Sequence, residues 1–322
     1  MERVVDLSVL PRRSEKNWSL GTAFAMMVVL LLIGPFVVYP VFLMKALCFS
    51  LFACAFNLLI GYVGLISFGH AMFFGWASYL TAYAARGWGL PPEPAIIIGT
   101  ATAAALGIVA GYLAIRRQGI YFAMITLALA QMTYFFALEA KFTGGEDGIQ
   151  GVPRGRLFGI FDLSGEMTMY VFVLVVVIAG FLLIFRIINS PFGEVLKAIR
   201  ENEQRAVSLG YRTERYKLVA FVLSATLAGL AGSLNALVFQ LASLTDVHWT
   251  MSGDVVLMTL LGGLGTVFGP VVGAFAVIAM QNYLAPFGQW VLVIQGAIFV
   301  ACVLAFRRGI VGEIARLLRV PL

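Results

Sequence analysis

Met169-Tyr170-Val171-Phe172-Val173-Leu174-Val175-Val176-Val177-Ile178-Ala179-Gly180-Phe181-Leu182-Leu183-Ile184-Phe185 contains no charged residue. It forms the body of an apolar run from 168 to 188. A helix needs about 20 such residues to cross a bilayer core of about 30 Å. Working outward, similar runs fall at 20–39, 42–60, 67–85, 94–114, 119–138 and 217–240, and the tail holds 253–264, 268–285 and 287–306. The breaks between them carry turn chemistry: Tyr39-Pro40, Gly61, Pro91-Pro92-Glu93-Pro94 and Arg116-Arg117-Gln118-Gly119. Of the 322 residues 61% are hydrophobic and 12% charged, against about 25% charged in a soluble domain. Only a bilayer accepts so much apolar outer surface. The reading is an all-α, polytopic transmembrane helix bundle of about ten spans. It divides into an N-terminal segment 1–19, a membrane domain 20–306 with a polar loop at 189–216, and a tail 307–322.

Orientation follows from lysine and arginine, which concentrate on the cytoplasmic side. The net charge of +6 comes from short basic segments between apolar runs and is no nucleic-acid footprint. Arg3, Arg12, Arg13 and Lys16 place the N-terminus inside, and the 20–39 run is too long for the apolar part of a signal peptide. No small-residue cleavage site follows that run, so it reads as a retained first span. Counting crossings puts Arg116-Arg117 inside, the Gly-rich and acidic loop 139–167 outside, and 189–216 inside with Lys197, Arg200, Arg205, Arg212 and Arg215. For Arg307, Arg308, Arg316 and Arg319 also to lie inside, the short segment 253–264 must cross, which makes ten spans.

The least regular apolar stretch is Gly262-Gly263-Leu264-Gly265, followed by Pro270. Irregular backbone at membrane depth is tolerated only inside protein or against a water-filled cavity. Gly64-Leu65-Ile66-Ser67-Phe68-Gly69 resembles Gly263-Leu264-Gly265-Thr266-Val267-Phe268-Gly269 with one residue inserted. Paired glycine-interrupted segments point to the substrate path of a transporter. Gly64, Ser67, Gly69, His70, Gly262, Gly263 and Gly265 are therefore candidates to line a path; close helix packing is the plain alternative.

Signs of an enzyme are missing from the sequence. His70 and His248 stand far apart, and no His or Cys group has metal-ligand spacing. Cys48, Cys54 and Cys302 sit in apolar runs and form no disulfide framework. Without a G-x-x-x-x-G-K-[ST] loop the chain is not expected to bind or hydrolyse ATP, and no catalytic, metal or cofactor residues are assigned. Lys45 near a span end reads as a snorkelling side chain, His70 as a satisfied structural histidine, and Asp254 after Ser252-Gly253 as a helix cap. Apart from these the spans read as free of carboxylates, which argues against an ion-coupled transporter. Ala103, Gly107 and Gly111, and Ala225, Gly229 and Gly232, read as close-packing helix faces.

The polar loop is the most informative segment. Ser190 is an N-cap type before Pro191, and Glu194 to Gly210 reads as one helix with a glycine stop. Val195, Leu196 and Ile199 fall on one face, Lys197, Arg200 and Glu201 on another. A basic helix would suit anionic lipid. Here Glu194, Glu201 and Glu203 are mixed with the cations, which suits a protein partner better.

Several stretches together resemble the branched-chain amino-acid ABC importer permeases of the LivM type. They are Asn57 to Ala71, Gly119 to Ala128, Thr143-Gly144-Gly145-Glu146-Asp147-Gly148, Ser190 to Gly210, and Gly262-Gly263-Leu264-Gly265 with Gly269-Pro270. The resemblance implies a multi-pass protein of the bacterial inner membrane. It implies a homologous second permease subunit, two ATPase subunits that carry ATP and Mg, and a periplasmic amino-acid-binding protein. It makes the loop a coupling helix, with Ala198, Arg200, Glu201, Glu203, Arg205, Ala206 and Gly210 facing the ATPase. Of the general Glu-Ala-Ala-x-x-x-Gly coupling pattern only Ala206 and Gly210 fit, and Glu203 stands one place early. The implied cargo is leucine, isoleucine and valine; urea, short amides or aromatic acids are the alternatives within the class.

Overall fold

The computed structural model describes residues 13–288, 290–305 and 309–318. Arg3, Arg12, Arg307, Arg308 and Arg319, on which part of the orientation argument rests, lie outside the described residues. Each of the ten apolar runs is a helix. They are α1 (Arg13–Val37), α2 (Pro40–Tyr62), α3 (His70–Arg86), α4 (Pro92–Ala114), α5 (Ile120–Glu139) and α6 (Glu166–Ile188), followed after the polar loop by α9 (Thr213–Phe239), α11 (Trp249–Gly262), α12 (Gly269–Leu284) and α13 (Trp290–Ala305). The polar loop holds α7 (Pro191–Glu201) and α8 (Glu203–Ser208), while α10 (Leu244–Val247) and α14 (Gly309–Leu318) are short additions. Among the described residues five helices, α2, α4, α5, α6 and α9, are long and apolar enough to cross a membrane.

Prolines at the first turns of α2, α4, α7 and α12 occupy positions where a missing N–H costs nothing. Two strand pairs lie at one end of the bundle. β1 (Ile149–Gln150) pairs with β4 (Leu241–Ala242), and β2 (Arg156–Leu157) forms a hairpin with β3 (Phe161–Asp162). Arg154 fastens this loop to the end of α9 by donating to the carbonyls of Leu237 and Val238. The opposite end carries α7 and α8. These two ends are called the hairpin end and the α7–α8 end.

The core is built on α2, α3, α4 and α9. α2 is buried along nearly its whole length, whereas α4 and α5 turn Ile97, Ile108, Val109, Tyr121, Met124 and Phe135 outward. Small residues bring α4 against α9: a Cβ on Gly107 would meet that of Ala225 at 2.7 Å, and one on Gly229 would overlap Ala103. Such contacts let backbones approach as glycine-lined membrane helices do.

Two expectations from the sequence are corrected. The polar loop is two helices, not one from 194 to 210. Asn202 adopts extended backbone (φ −157°, ψ 98°) and its side chain accepts from the Arg205 N–H, so it starts a second helix and ends the first. Asp254 caps nothing: α11 begins five residues earlier, where His248 caps it through Nδ1 to the Thr250 N–H. Asp254 therefore stands inside an apolar helix. Asp246 of α10, just before α11, is buried at 8% exposure, while Asp254 is partly exposed. In the sequence Asp254 reads as a cap at the start of a span; in the structure it stands about one and a half turns inside α11.

Candidate functional site

The α7–α8 end is where the two glycine-rich stretches meet. The segment after α2 and the turn between α11 and α12 lie side by side: a Cβ on Gly61 would come 2.8 Å from the Gly265 nitrogen. Gly64 (φ +82°) and Gly265 (φ +73°) occupy the left-handed region that favours glycine. Asn57, buried in the penultimate turn of α2, holds the two stretches together. Its Nδ2 donates to the Thr266 carbonyl at 2.9 Å, and its Oδ1 accepts from the Gly265 N–H at 3.0 Å.

Arg200 brings α7 into this junction. Its guanidinium donates to the Gly61 carbonyl. Its aliphatic stem lies where a Cβ on Gly64 would be, 3.1 Å from Cγ, and its Nη1 sits 3.3 Å from the corresponding position on Gly265. The main-chain carbonyl at the end of α2 is a natural partner for a cation, since helix C-termini carry partial negative charge. One side chain therefore touches both glycine stretches and belongs to the polar loop.

α8 is held from the other side. Glu203 accepts from Lys217 Nζ at 2.5 Å, from Thr213 Oγ1 at 3.1 Å and from Gln118 Nε2 at 2.8 Å. Lys217 is 4% exposed and Glu203 26%. This ties α8 to the start of α9 and to the connection between α4 and α5. Ala206, on α8, is buried, while Ala198, Glu201, Arg205 and Gly210 are exposed. Val207, Leu209 and Tyr211 are exposed beside them, Leu209 at 71%. The segment thus has an anchored inner face and a free outer face with apolar side chains on it.

The remaining candidates fall elsewhere. Ser67, Gly69 and His70 are wedged among α5, α9 and α11. The Phe68 N–H donates to Thr126 Oγ1 at 3.2 Å, and the Ala71 N–H to Ser252 Oγ at 2.9 Å. Ser224 Oγ donates to the Ala55 carbonyl, so it accepts from His70 Nε2, 2.9 Å away. His70 is fully buried and its ring edges meet Phe56, Phe73 and Phe221. Gly262 abuts Gly269 and Gly273, and Gly263 abuts Gly309 of α14, as close-packing positions. Of the seven path candidates, Gly64 and Gly265 alone meet Arg200. The sequence reading missed Asn57 and Lys217 as ties. A lone amide in an otherwise apolar span was the available signal for Asn57. Among the described residues no group of His, Cys, Asp and Glu could hold a metal ion.

Residues 38–303 match the family described as branched-chain amino acid transport system, permease component. The high-affinity branched-chain amino acid transport system permease protein LivM of Escherichia coli is 27% identical over 267 residues, 76% of this chain and 63% of that protein. The probable branched-chain amino acid transport permease protein LivH of Methanocaldococcus jannaschii is 28% identical over 170 residues, covering 48% of this chain and 51% of the relative. The autoinducer 2 import system permease protein LsrC of Salmonella paratyphi B is 28% identical over 189 residues, 56% of this chain and 53% of that protein. The chain therefore spans less than two thirds of the length of these relatives. No solved structure matches it.

Proposed function

Because the chain belongs to the family of branched-chain amino acid transport system permease components, we infer that it is the membrane-spanning subunit of an ATP-driven importer for leucine, isoleucine and valine. The observation that carries this reading is the build of the α7–α8 segment. It is anchored inward by Arg200 and Glu203 and presents Val207, Leu209 and Tyr211 outward. An exposed apolar group on a polar loop suits a protein partner. The partner is one of two ATPase subunits carrying ATP and Mg. A homologous second permease and a periplasmic amino-acid-binding protein complete the assembly in the bacterial inner membrane.

The α7–α8 end faces the cytoplasm and the hairpin end the periplasm. Ten helices cross, with α11 as the short eighth span. In support, α11 starts with His248 against Tyr134 of α5, ring centres 5.2 Å apart, and ends in the turn held by Asn57. Movement of the ATPases is passed through α8 and α7 to Arg200, and from there to both glycine stretches. No covalent chemistry is asked of this chain. A second reading keeps this machinery and changes the cargo, since one relative is named for autoinducer 2 import; urea, short amides and aromatic acids belong to the same alternative.

The test is reconstitution with the second permease, ATPases and binding protein in proteoliposomes. ATP-driven leucine uptake is expected, and Leu209→Glu should abolish ATPase association while leaving the purified permease folded. Uptake of another of these solutes in place of leucine moves the reading to the second cargo. Leucine uptake without nucleotide, or undisturbed ATPase binding by Leu209→Glu, overturns it.

A further inference from the structure

Lys45, Asp254 and Gln281 lie on α2, α11 and α12, three helices that touch pairwise. Lys45 is the sixth residue of α2 and Asp254 the sixth of α11. Gln281 is in the last turn of α12. All three stand near the hairpin end, and each is partly exposed rather than sealed in the core. Gln281 Nε2 donates to Asp254 Oδ2 at 3.2 Å. Lys45 Nζ lies 5.9 Å from the centre of the Phe49 ring. Among the described residues the ion pairs are Lys197–Glu194, Lys217–Glu203 and Arg316–Glu313, so Lys45 is in direct ion-pair contact with neither aspartate. Behind them Asp246 accepts from the Ser243 N–H. On α3, which packs against the helix holding Asp246, the Tyr79 hydroxyl is fully buried with no hydrogen-bond partner among the described residues.

Charges half-exposed on membrane helices are costly against hydrocarbon and face a polar path or a partner subunit instead. This group offers a cation and a carboxylate on touching helices near one end of the bundle, not paired with each other, with an amide bonded to the carboxylate. That set is complementary to a molecule carrying both charges on adjacent atoms. We propose that Lys45 and Asp254, supported by Gln281 and Asp246, form a transit site on the periplasmic half of the path that receives the main-chain carboxylate and ammonium of an amino acid. The inference rests on the importer reading above and names the chemistry its path selects. It reads the groups shared by leucine, isoleucine and valine and leaves side-chain choice to the binding protein. A neutral solute such as urea leaves both charges unanswered.

The experiment uses the complete importer in proteoliposomes. Lys45→Met and Asp254→Asn should each lower leucine uptake by about tenfold, the worth of one hydrogen bond to a charged group. Lys45→Arg should restore most of it, and ATP hydrolysis stimulated by the binding protein should continue. In a Cys302→Ser background, Asp254→Cys should react with a membrane-impermeant sulfonated thiosulfonate, and leucine-loaded binding protein with nucleotide should slow that reaction. Uptake near that of the parent in both neutral variants overturns the site. So does an Asp254→Cys thiol that only a lipid-soluble maleimide reaches, a measurement that decides the matter even where a neutral variant fails to assemble. If the parent importer takes up no leucine, the importer reading has failed, and water access at residue 254 still reports separately on whether the group lines a path.

Discussion

Two junctions of the bundle are made by opposite means. Where α4 meets α9, Gly107, Ala225, Gly229 and Ala103 touch through small side chains and backbone, with nothing polar between those residues. Where α2, α7 and the turn before α12 meet, Asn57 and Arg200 reach across to main-chain groups of Gly265, Thr266 and Gly61. Close packing is short-ranged and has no second arrangement to adopt, because interiors are as dense as organic crystals. A hydrogen bond to a backbone carbonyl can be exchanged for water at small net cost. The first junction is suited to move as a block, the second to open and close. α7 carries Arg200 into the second junction, and α8, next to it in the chain, is tied by Glu203 to the start of α9.

The largest expected effect breaks the rigid side. Gly229→Leu would drive a branched side chain into Ala103 and Ala77, on two different helices. Overpacking of this kind costs about 3 kcal/mol or more where neighbours cannot shift. Thermal unfolding of the detergent-purified chain should show a large fall in midpoint or loss of folded protein. A variant as stable as the parent would mean that α4 and α9 separate freely, and the two junctions would no longer differ in kind.

Asn57→Leu comes next and addresses the polar side. It leaves the Gly265 N–H and the Thr266 carbonyl without their partner. Leaving these part-buried backbone groups unpaired costs about 1–2 kcal/mol. The midpoint should fall by less than for Gly229→Leu, and exchange of the Gly265 amide hydrogen should quicken while amides in α9 stay protected. Quickened exchange throughout α9 would show the two junctions to be one cooperative unit.

The difference between the junctions also explains what the sequence disclosed. All ten apolar runs are helices, most within four residues of the expected ends, because run length and proline or glycine breaks are local properties. The small-residue faces of α4 and α9 were legible for the same reason: four-residue spacing is local. The polar junction was not. Asn57 and its partners are more than two hundred residues apart, and no pattern within α2 names the turn it holds. Arg200 was picked out as a contact to an outside partner because only its own helix was in view; within the chain it meets Gly61, 139 residues away. Lys45 and Asp254 each had an innocuous local reading, as a snorkelling lysine and a cap, and only the pairing of α2 with α11 places them together. The break at Asn202 had a local signal, an asparagine of N-cap type, hidden by the run of charged helix formers around it.

The smallest stability effect carries the sharpest functional contrast. Arg200→Ala removes one charge-assisted hydrogen bond from an exposed residue, so stability should fall by only about 1 kcal/mol. The loss for transport should be far greater if motion of α7 reaches the glycine stretches through this side chain. Leucine uptake should drop by about tenfold or more, as it does when a positioning contact worth about 1.4 kcal/mol is lost, while the ATPases remain bound and continue to hydrolyse ATP. Arg200→Lys should recover part of the uptake, because an ammonium can still reach a carbonyl but cannot spread across Gly61 and Gly265 as a planar guanidinium does. Uptake and hydrolysis falling together would place Arg200 in the partner contact itself, and the outer face of α8, not the inner, would then be the part of the loop that decides transport.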